Sequence, residues 1–360
     1  MESKLEHNDF DFAGVYFPSG TWDCFGCKFQ ESASFHKATF HGAAQFAAAI
    51  FSGEANFKGV SFRGEVNFTA ATFQGKANFT TAMFSGEAYF NKATFNREVY
   101  FDEVTFGEGA NFRNTLFQGE VGKTSWGLVE ATSFSAATFR GIANFDAAAF
   151  SDTSFARATF ENIASFHAAA FYGRVSFYYA AFKMHPTLFR KATFNNGVNF
   201  RSTRFHEGAI FTWAIFSDLT DFGSTRFSGA TTFAGATFSG MASFDGATIN
   251  EVHFYASTIK ESMSLSKLKT FPQTRIGFEH AMIEKPERIS FHTTHLRPNW
   301  FVDVDPQKFD FADVEWFRLP NEEELELEDE IKALELGQGL NERRESTQAG
   351  KRLPKANEQR

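Results

Sequence analysis

The segment CFGC holds the residues of this chain best suited to chemistry. Cys24 and Cys27 form a C-x-x-C motif and are the two cysteines among 360 residues. Two thiols at this spacing can act as a redox pair, or they can supply half of a zinc site. They can also be small apolar core residues, as free cysteines often are. The sequence has no second cysteine pair, which weakens the zinc interpretation.

Three histidines form the other candidate site. His292 and His295 are separated by two residues in ISFHTTHL, and His280 precedes them. Imidazoles so placed can ligate a metal, but no H-E-x-x-H signature is present. The chain also contains no G-x-x-x-x-G-K-[ST] and no G-x-S-x-G motif. We therefore expect no catalytic residue, no metal ligand and no cofactor.

The elements that position these residues follow a rhythm of phenylalanine, which supplies 50 of the 360 residues. In ANFTTAMFSGEAYFNKATF, from Ala77 to Phe95, the rings recur at alternating steps of five and six residues. Neither the helix period of 3.6 nor the strand period of 2 gives this rhythm. An eleven-residue period can mark a right-handed coiled coil, but these steps would place the rings on two separate helix faces.

One short extended side for each Phe explains the rhythm. Ala or Val usually stands two residues before the ring, so both point to the same side of an extended segment. The residue between them is mostly Thr, Asn or Ser and would point outward. Four such sides make a square turn of about 22 residues, with the rings inside. The predicted core includes Phe57, Phe62, Phe68, Phe73, Phe79, Phe84, Phe90, Phe95, Phe145, Phe200, Phe211, Phe222 and Phe233.

The units ANFTT, ATFNR and ANFRN resemble the A-(D/N)-L-x-x unit of the pentapeptide-repeat proteins, with Phe in place of Leu. The six-residue sides, as in FQGKANF and FSGEAYF, resemble a Phe-rich branch of that family with an eleven-residue period. The resemblance implies an all-β fold, a right-handed quadrilateral β-solenoid. We expect the extra residue of each six-residue side to bulge a corner outward, where Gly would tolerate a positive φ.

This register also bears on the candidate sites. Extrapolated backward, it places Cys24 on a Phe position and Cys27 on an Ala position, so packing becomes the favoured interpretation and a redox role stays open. It places His292 and His295 on outward positions, which favours ordinary surface residues over a metal site.

Two interruptions are visible within the repeat. The gap from Phe117 to Phe134 is 17 residues and keeps the phase, but it would put Lys123 on a central position. We expect that side to loop out, because an unpaired buried Lys is costly. The seven-residue gap from Phe182 to Phe189 contains Pro186 and predicts a second loop.

The boundaries follow the strength of the pattern. We predict an N-terminal cap and first irregular turn over 1–28, the solenoid over 29–259, irregular terminal turns and loops over 260–320, an acidic helix over 321–336, and a disordered polar tail over 337–360. The helix would carry Leu327, Ile331 and Leu334 on one face. That face could cap the solenoid end, pair two copies as a homodimer, or dock on another protein.

Composition and charge limit the functions. The formal net charge is −8, of which the acidic segment 321–336 contributes −7 and the tail +3, so the chain up to Pro320 carries −4. Such a body offers no nucleic-acid-binding surface, and the sequence has no apolar run that could span a membrane or serve as a signal peptide. A cytoplasmic, non-enzymatic scaffold that binds an unknown protein is the leading hypothesis. A DNA-mimicking topoisomerase binder, which the resemblance allows, and an enzyme or ligand site in the irregular C-terminal region are the alternatives.

Overall fold

A computed structural model describes residues 10–119, 122–124, 127–129, 131–271, 274–296 and 309–316. This part of the chain is built from short strands, mostly two residues long, and one 3-10 turn at Pro286–Arg288. Strands of successive turns pair in parallel, so the chain winds into a four-sided β-solenoid. The predicted all-β solenoid is confirmed.

Face 1 is the longest side, with fourteen strands stacked along the axis. At about 4.8 Å per strand, this ladder is roughly 60 Å long. Its strands are Phe10–Asp11, Ala33–Ser34, Ala55–Asn56, Ala77–Asn78, Val99–Tyr100, Thr132–Ser133, Thr153–Ser154, Val175–Ser176, Val198–Asn199, Thr220–Asp221, Ala242–Ser243, Met263–Ser264, Ile289–Leu296 and Asp310–Trp316.

Faces 2 and 3 follow face 1 in the order of the chain. They form one continuous sheet, because two long strands extend across the corner between them. The strands of face 2 are Tyr16–Phe17, Thr39–Phe40, Ser61–Phe62, Met83–Phe84, Thr105–Phe106, Thr138–Phe139, Thr159–Phe160, Ala181–Phe182 and Arg204–Phe205. Those of face 3 are Trp22–Asp23, Ala44–Gln45, Val66–Asn67, Ala88–Tyr89, Ala110–Asn111, Ala143–Asn144, Ala164–Ser165, Thr187–Leu188, Ala209–Ile210 and Arg275–Gly277. The shared strands are Arg226–Thr232 and Thr248–His253.

Face 4 closes the square and lies opposite face 2. Its twelve strands are Lys28–Phe29, Ile50–Phe51, Thr72–Phe73, Thr94–Phe95, Leu116–Phe117, Ala149–Phe150, Ala170–Phe171, Thr193–Phe194, Ile215–Phe216, Thr237–Phe238, Thr258–Ile259 and Met282–Ile283. In each regular strand the outward residue precedes the inward ring, as the alternation of an extended chain requires.

The core is a set of parallel columns of stacked rings. Phe57 lies 4.8 Å from Phe79 of the next turn at an interplanar angle of 2°, and Phe79 lies 4.8 Å from Phe101 at 5°. Rings of neighbouring sides meet edge to face, as Phe79 and Phe90 do at 5.6 Å and 90°. Both geometries are favourable for aromatic pairs and add to the free energy of burial.

The structure corrects the expectation about glycine for some of the six-residue corners and not for all. We call the five-residue corners, between faces 1 and 2 and between faces 3 and 4, tight corners, and the six-residue corners wide corners. The left-handed conformation occurs mainly at tight corners, and there mostly on other residues such as Lys37 and Ala48, each with a φ of 56°. At wide corners, Gly197 and Gly208 do adopt a positive φ, of 86° and 82°. Gly64, at a wide corner, has no positive φ, but a Cβ there would lie 2.6 Å from the Gly42 carbonyl oxygen. Close approach of successive turns, and not backbone freedom, therefore requires glycine at that wide corner.

Both predicted interruptions lie at wide corners. Phe117 ends a strand of face 4 and Phe134 follows a strand of face 1, so the 17-residue gap spans a single corner. Its extra residues contain an antiparallel hairpin of Gly122–Thr124 and Gly127–Val129, which leaves the solenoid. The phase survives because the insertion is one eleven-residue unit long. The other interruption is an exposed corner over residues 183–186.

The described ends extend the regular region beyond the predicted 29–259. Strand pairing begins at Phe10–Asp11, and face 1 continues through Ile289–Leu296 to Asp310–Trp316. The predicted helix over 321–336, with Leu327, Ile331 and Leu334, and the tail over 337–360 lie outside the described residues. Within the described ranges, no helix is long and apolar enough to cross a membrane.

Candidate protein-interaction face

Where the structure describes it, the interior of the solenoid is packed with buried side chains. All thirteen phenylalanines of the predicted core are at most 1% exposed. The alanines and valines two positions before them are buried as well, which fills the space beside each ring. A candidate site must therefore lie on the outer faces, at the corners or at the ends.

Cys24 and Cys27 occupy the Phe and Ala positions of a tight corner, as the register predicts, but they are joined by a disulfide. The expectation of two free, packed thiols is wrong in this respect. The Cys27 N–H donates to the Cys24 carbonyl at 3.1 Å and the two Cα atoms are 5.2 Å apart. That separation is within the normal range for a disulfide. Spacing along the chain orients both side chains inward but does not report how close the corner brings them.

The histidines do not form a metal site. The Nε2 atom of His292 lies 2.8 Å from a carboxylate oxygen of Asp310, in the strand that pairs beside it. His280 meets the ring of Tyr255 edge to face at 5.4 Å. Among the residues that the structure describes, no three His, Cys, Asp or Glu side chains gather as metal ligands.

Among the described side-chain clusters, the serine hydroxyls around Asp102 most resemble a catalytic site. The Ser133 hydroxyl donates to the Asp102 carboxylate and lies 3.0 Å from Ser135 Oγ, which lies 2.9 Å from Ser154 Oγ. Burial is the main cause that raises the pKa of Asp102, and hydrogen bonds from Ser133 and Ser135 oppose it. The described partners of these serines include no histidine that could act as their base, so the cluster joins successive turns and activates no nucleophile.

The raised pKa of Asp102 has a measurable consequence. A carboxyl whose folded pKa is raised favours folding below its unfolded pKa, and that contribution is lost as the pH rises through the folded pKa. We expect Asp102→Asn, which keeps an acceptor oxygen and does not titrate, to gain in Tm relative to wild type between about pH 4 and pH 7. Calorimetric melts of both proteins across this range are the measurement. A Tm difference that does not change with pH would contradict the raised pKa.

Two shallow depressions lie on face 3 of the described surface. One, of about 410 Å³, is lined by Asn91, Lys92, Asn111, Arg113 and Asn114. A second, of about 390 Å³, lies beside Tyr89, whose pKa is raised by partial burial and then by Glu65 and Glu87. Neither combines apolar walls with converging polar groups, which small-molecule sites require.

Face 4 carries a concentration of exposed apolar side chains over its C-terminal turns. Ile215, Thr237, Thr258 and Met282 are aligned there in successive strands. The tight and wide corners that border these strands add four more apolar residues. We call this set the apolar strip: Trp213, Ile215, Leu219, Met241, Tyr255 and Met282. It extends over three strand spacings, about 14 Å along the axis.

Two contacts hold the apolar strip in place. The Trp213 indole lies over Gly235 of the next turn, so close that a Cβ on Gly235 would come within 2.7 Å of the ring. On the other border, the Thr220 N–H donates to the Met241 carbonyl at 2.8 Å, which brings Leu219 beside Met241. A large apolar surface of fixed shape is typical of protein-binding sites.

The opposite side of the first two of these turns carries positive charge. Arg204 and Arg226 are aligned on face 2. The two faces thus differ in chemistry at one level of the solenoid, although both are built from the same repeat. Thr would serve strand stability equally well at the outward positions of face 2 and of face 4. Stability alone therefore does not explain why the two faces carry different side chains.

No pattern in the sequence indicates the apolar strip. In the sequence, Ile215 is only an interruption in a series of outward Thr residues. Trp213 and Met241 lie at corners, where the repeat predicts no particular residue type. Strand pairing aligns Ile215 with Thr237, Thr258 and Met282 through turns of unequal length. Because the turns differ in length, no single period along the chain connects the members of the strip.

The repeat itself is recognised by comparison with known families. A family model described as pentapeptide repeats matches residues 25–72, 46–92, 57–103, 79–122 and 222–262. Over these segments the chain is built of pentapeptide repeats. The prediction from ANFTT and its neighbours is confirmed, and a β-solenoid of pentapeptide repeats is typically a non-enzymatic scaffold.

The comparison with individual proteins adds little about function. No curated protein matches the chain significantly. Among solved structures, it is similar to QnrB1, a plasmid-mediated fluoroquinolone resistance protein, in a trypsin-treated form. The alignment covers 56% of this chain and 89% of that chain at 16% identity and a TM-score of 0.25, so no functional argument rests on it.

Proposed function

We propose that this pentapeptide-repeat protein is a non-enzymatic, cytoplasmic scaffold that binds another protein through the apolar strip. The observation that supports this is the gathering of six exposed apolar side chains on one side of four successive turns. Met83, on face 2, is aligned instead with Ser61 and Thr105. Isolated exposed apolar residues are ordinary, whereas contiguous ones favour an interaction site.

The solenoid is suited to present such a surface at low entropic cost. Each turn is fixed by parallel hydrogen bonds and by ring stacking to the turns on both sides, so the strip is ordered before a partner arrives. Pre-organised surfaces lose less conformational entropy on binding. Trp213, pinned over Gly235, has the character of an interface anchor, because buried Trp residues often dominate binding energy.

The DNA-mimicking alternative receives less support. A mimic of duplex DNA would present a dense, continuous array of acids, whereas the chain up to Pro320 carries a net charge of −4. Face 2 displays aligned arginines, and salt bridges such as that of Lys183 with Glu161 neutralise acids on the surface. An apolar docking surface agrees better with this charge distribution.

A matched pair of substitutions tests the proposal. Met241 and Met83 are 60% and 52% exposed, on opposite sides of the solenoid. We expect Met241→Glu to lose a partner that wild type captures by crosslinking in its source cells, because the carboxylate would be desolvated in the interface. Met83→Glu, the control, should capture that partner as wild type does. Trp213→Ala should weaken capture about tenfold or more.

Two results would overturn the proposal. If Met241→Glu and Met83→Glu capture the same proteins in equal amounts, the strip is not the binding surface. If the strip instead pairs copies of this chain, sedimentation would show wild type as a dimer and Met241→Glu as a monomer, with no foreign protein lost. A homodimer through the C-terminal end, which remains a prediction, would be unaffected by either substitution.

A further inference from the structure

The disulfide between Cys24 and Cys27 closes a corner whose backbone does not need it. The equivalent corner of the next turn is formed by Phe46 and Ala49, where the Ala49 N–H donates to the Phe46 carbonyl at 3.0 Å. The cysteine corner has the same hydrogen bond, at 3.1 Å. Because one backbone geometry serves both the linked and the unlinked corner, breaking the disulfide requires no rearrangement of the chain.

The corner lies at the N-terminal edge of its two faces. Trp22–Asp23, which precedes it, pairs only with Ala44–Gln45, and Lys28–Phe29, which follows it, pairs only with Ile50–Phe51, within the described residues. Interior corners of this kind are instead covered by turns on both sides. Among the described residues, no turn covers the N-terminal side of the cysteine corner.

The two sulfurs are not equally protected. Cys24 is 8% exposed and belongs to the hydrophobic core, whereas Cys27 is only partly buried against it. Phe25, between them, is 71% exposed, and Gly26 completes the turn with a φ of 63°. Both side chains face inward, but the Cys27 sulfur lies nearer the surface than the Cys24 sulfur. This is the arrangement of a pair in which one sulfur is attacked and the other leaves.

The folded state favours the disulfide over the dithiol only weakly. A disulfide stabilises a protein mainly by restricting its unfolded chain, and the effect is smallest for short loops. The loop from Cys24 to Cys27 contains four residues. The balance between dithiol and disulfide is therefore set largely by the surrounding thiol pool and not by the stability of the solenoid.

From these observations we propose that Cys24 and Cys27 form a reversible two-electron redox site for low-molecular-weight thiols such as glutathione. A glutathione thiolate attacks the Cys27 Sγ, the Sγ–Sγ bond breaks, and Cys24 Sγ leaves as a thiolate that takes a proton from water. A second glutathione thiolate attacks the glutathione sulfur of the mixed disulfide and releases Cys27 as a thiolate, which also takes a proton from water. Two protein thiols and one glutathione disulfide result, and the reverse reaction reoxidises the corner.

The first test uses the full chain in its native state. The protein is equilibrated in glutathione buffers of increasing reduced-to-oxidised ratio, quenched with an alkylating reagent and weighed by mass spectrometry. We expect two alkylations to appear together and to disappear on reoxidation, while the far-ultraviolet circular dichroism stays constant. If no thiol appears in reduced glutathione until the protein is unfolded with denaturant, the disulfide is a structural bond and the proposal is wrong.

The second test distinguishes the two sulfurs. Cys24→Ser leaves Cys27, and Cys27→Ser leaves Cys24. With oxidised glutathione, Cys24→Ser should gain one glutathione at least about tenfold faster than Cys27→Ser, because thiol exchange depends on access. Equal rates would contradict the assignment of Cys27 as the attacked sulfur. Both variants retain the backbone groups of the corner hydrogen bond, and thermal melting checks independently that each is folded.

Discussion

A Phe145→Ala variant should unfold with a free energy roughly 3–5 kcal/mol below that of wild type, as for other deep Phe truncations. The Phe145 ring is fully buried and stacks on Phe112 and on Phe166, at 4.9 Å in each case. Its edges meet Phe134 and Phe155 at 5.5 and 5.4 Å. Removing the ring breaks one column and leaves a cavity that the hydrogen-bonded turns above and below cannot close. Urea denaturation at constant temperature is the measurement.

The neighbouring outward residue supplies the control. Asn144 accepts the Asp146 N–H through Oδ1 at 2.9 Å. Ser makes the same contact at an equivalent corner, where the Ala156 N–H donates to Ser154 Oγ at 3.2 Å. Asn144→Ser should therefore cost about 0.5 kcal/mol or less. Similar losses for Phe145→Ala and Asn144→Ser would mean that the inward and outward positions are assigned wrongly.

The fold could be predicted because one physical signal repeats many times. Each Phe fixes the inward side of its strand, and each Ala two positions before it fixes the strand direction. No other secondary structure places both residue types on one side at steps of five and six. The solenoid, its core and the inward orientation of Cys24 and Cys27 therefore follow from spacing alone.

Features that depend on contacts between turns were not predictable in the same way. The disulfide depends on how near a tight corner brings two Cα atoms, which spacing does not report. The apolar strip depends on which residues lie side by side after turns of unequal length. Trp213 and Gly235 are neighbours in space, but nothing in their separation along the chain marks them as a pair.

The sequence shows that glycine recurs at the wide corners, but it does not show the physical reason. Gly recurs at these corners, and conformational freedom is its commonest role. At the tight corners, however, Lys37, Ala48 and Ala70 adopt the left-handed conformation without it. The fold can hold non-glycine residues in that conformation, because the strands on both sides of each corner fix its geometry. At Gly64, by contrast, a side chain would lie between two backbones in contact.

The difference between contact of backbones and backbone conformation predicts a large loss of stability for alanine at one glycine of this turn and a small change at another. In Gly64→Ala, the new Cβ would lie 2.6 Å from the Gly42 carbonyl oxygen and 2.7 Å from its carbonyl carbon. Neither backbone can move without breaking ladder bonds, so we expect a loss of about 3 kcal/mol, at the upper end for overpacked sites. In Gly59→Ala, where φ is 66°, the nearest atom is Lys37 Cγ at 3.4 Å.

Gly59→Ala should change the free energy of unfolding by about 1 kcal/mol or less, for two opposing reasons. Ala in the left-handed conformation costs roughly 1–2 kcal/mol, but it also reduces the entropy of the unfolded chain by an amount worth about 0.4–1 kcal/mol. Urea denaturation of both variants beside wild type compares the two causes directly. If Gly59→Ala proves the more damaging, backbone conformation governs the corners after all. A larger loss for Gly64→Ala would establish that contact between successive turns selects glycine there, since the same methyl group is added at two nearby positions of the same turn.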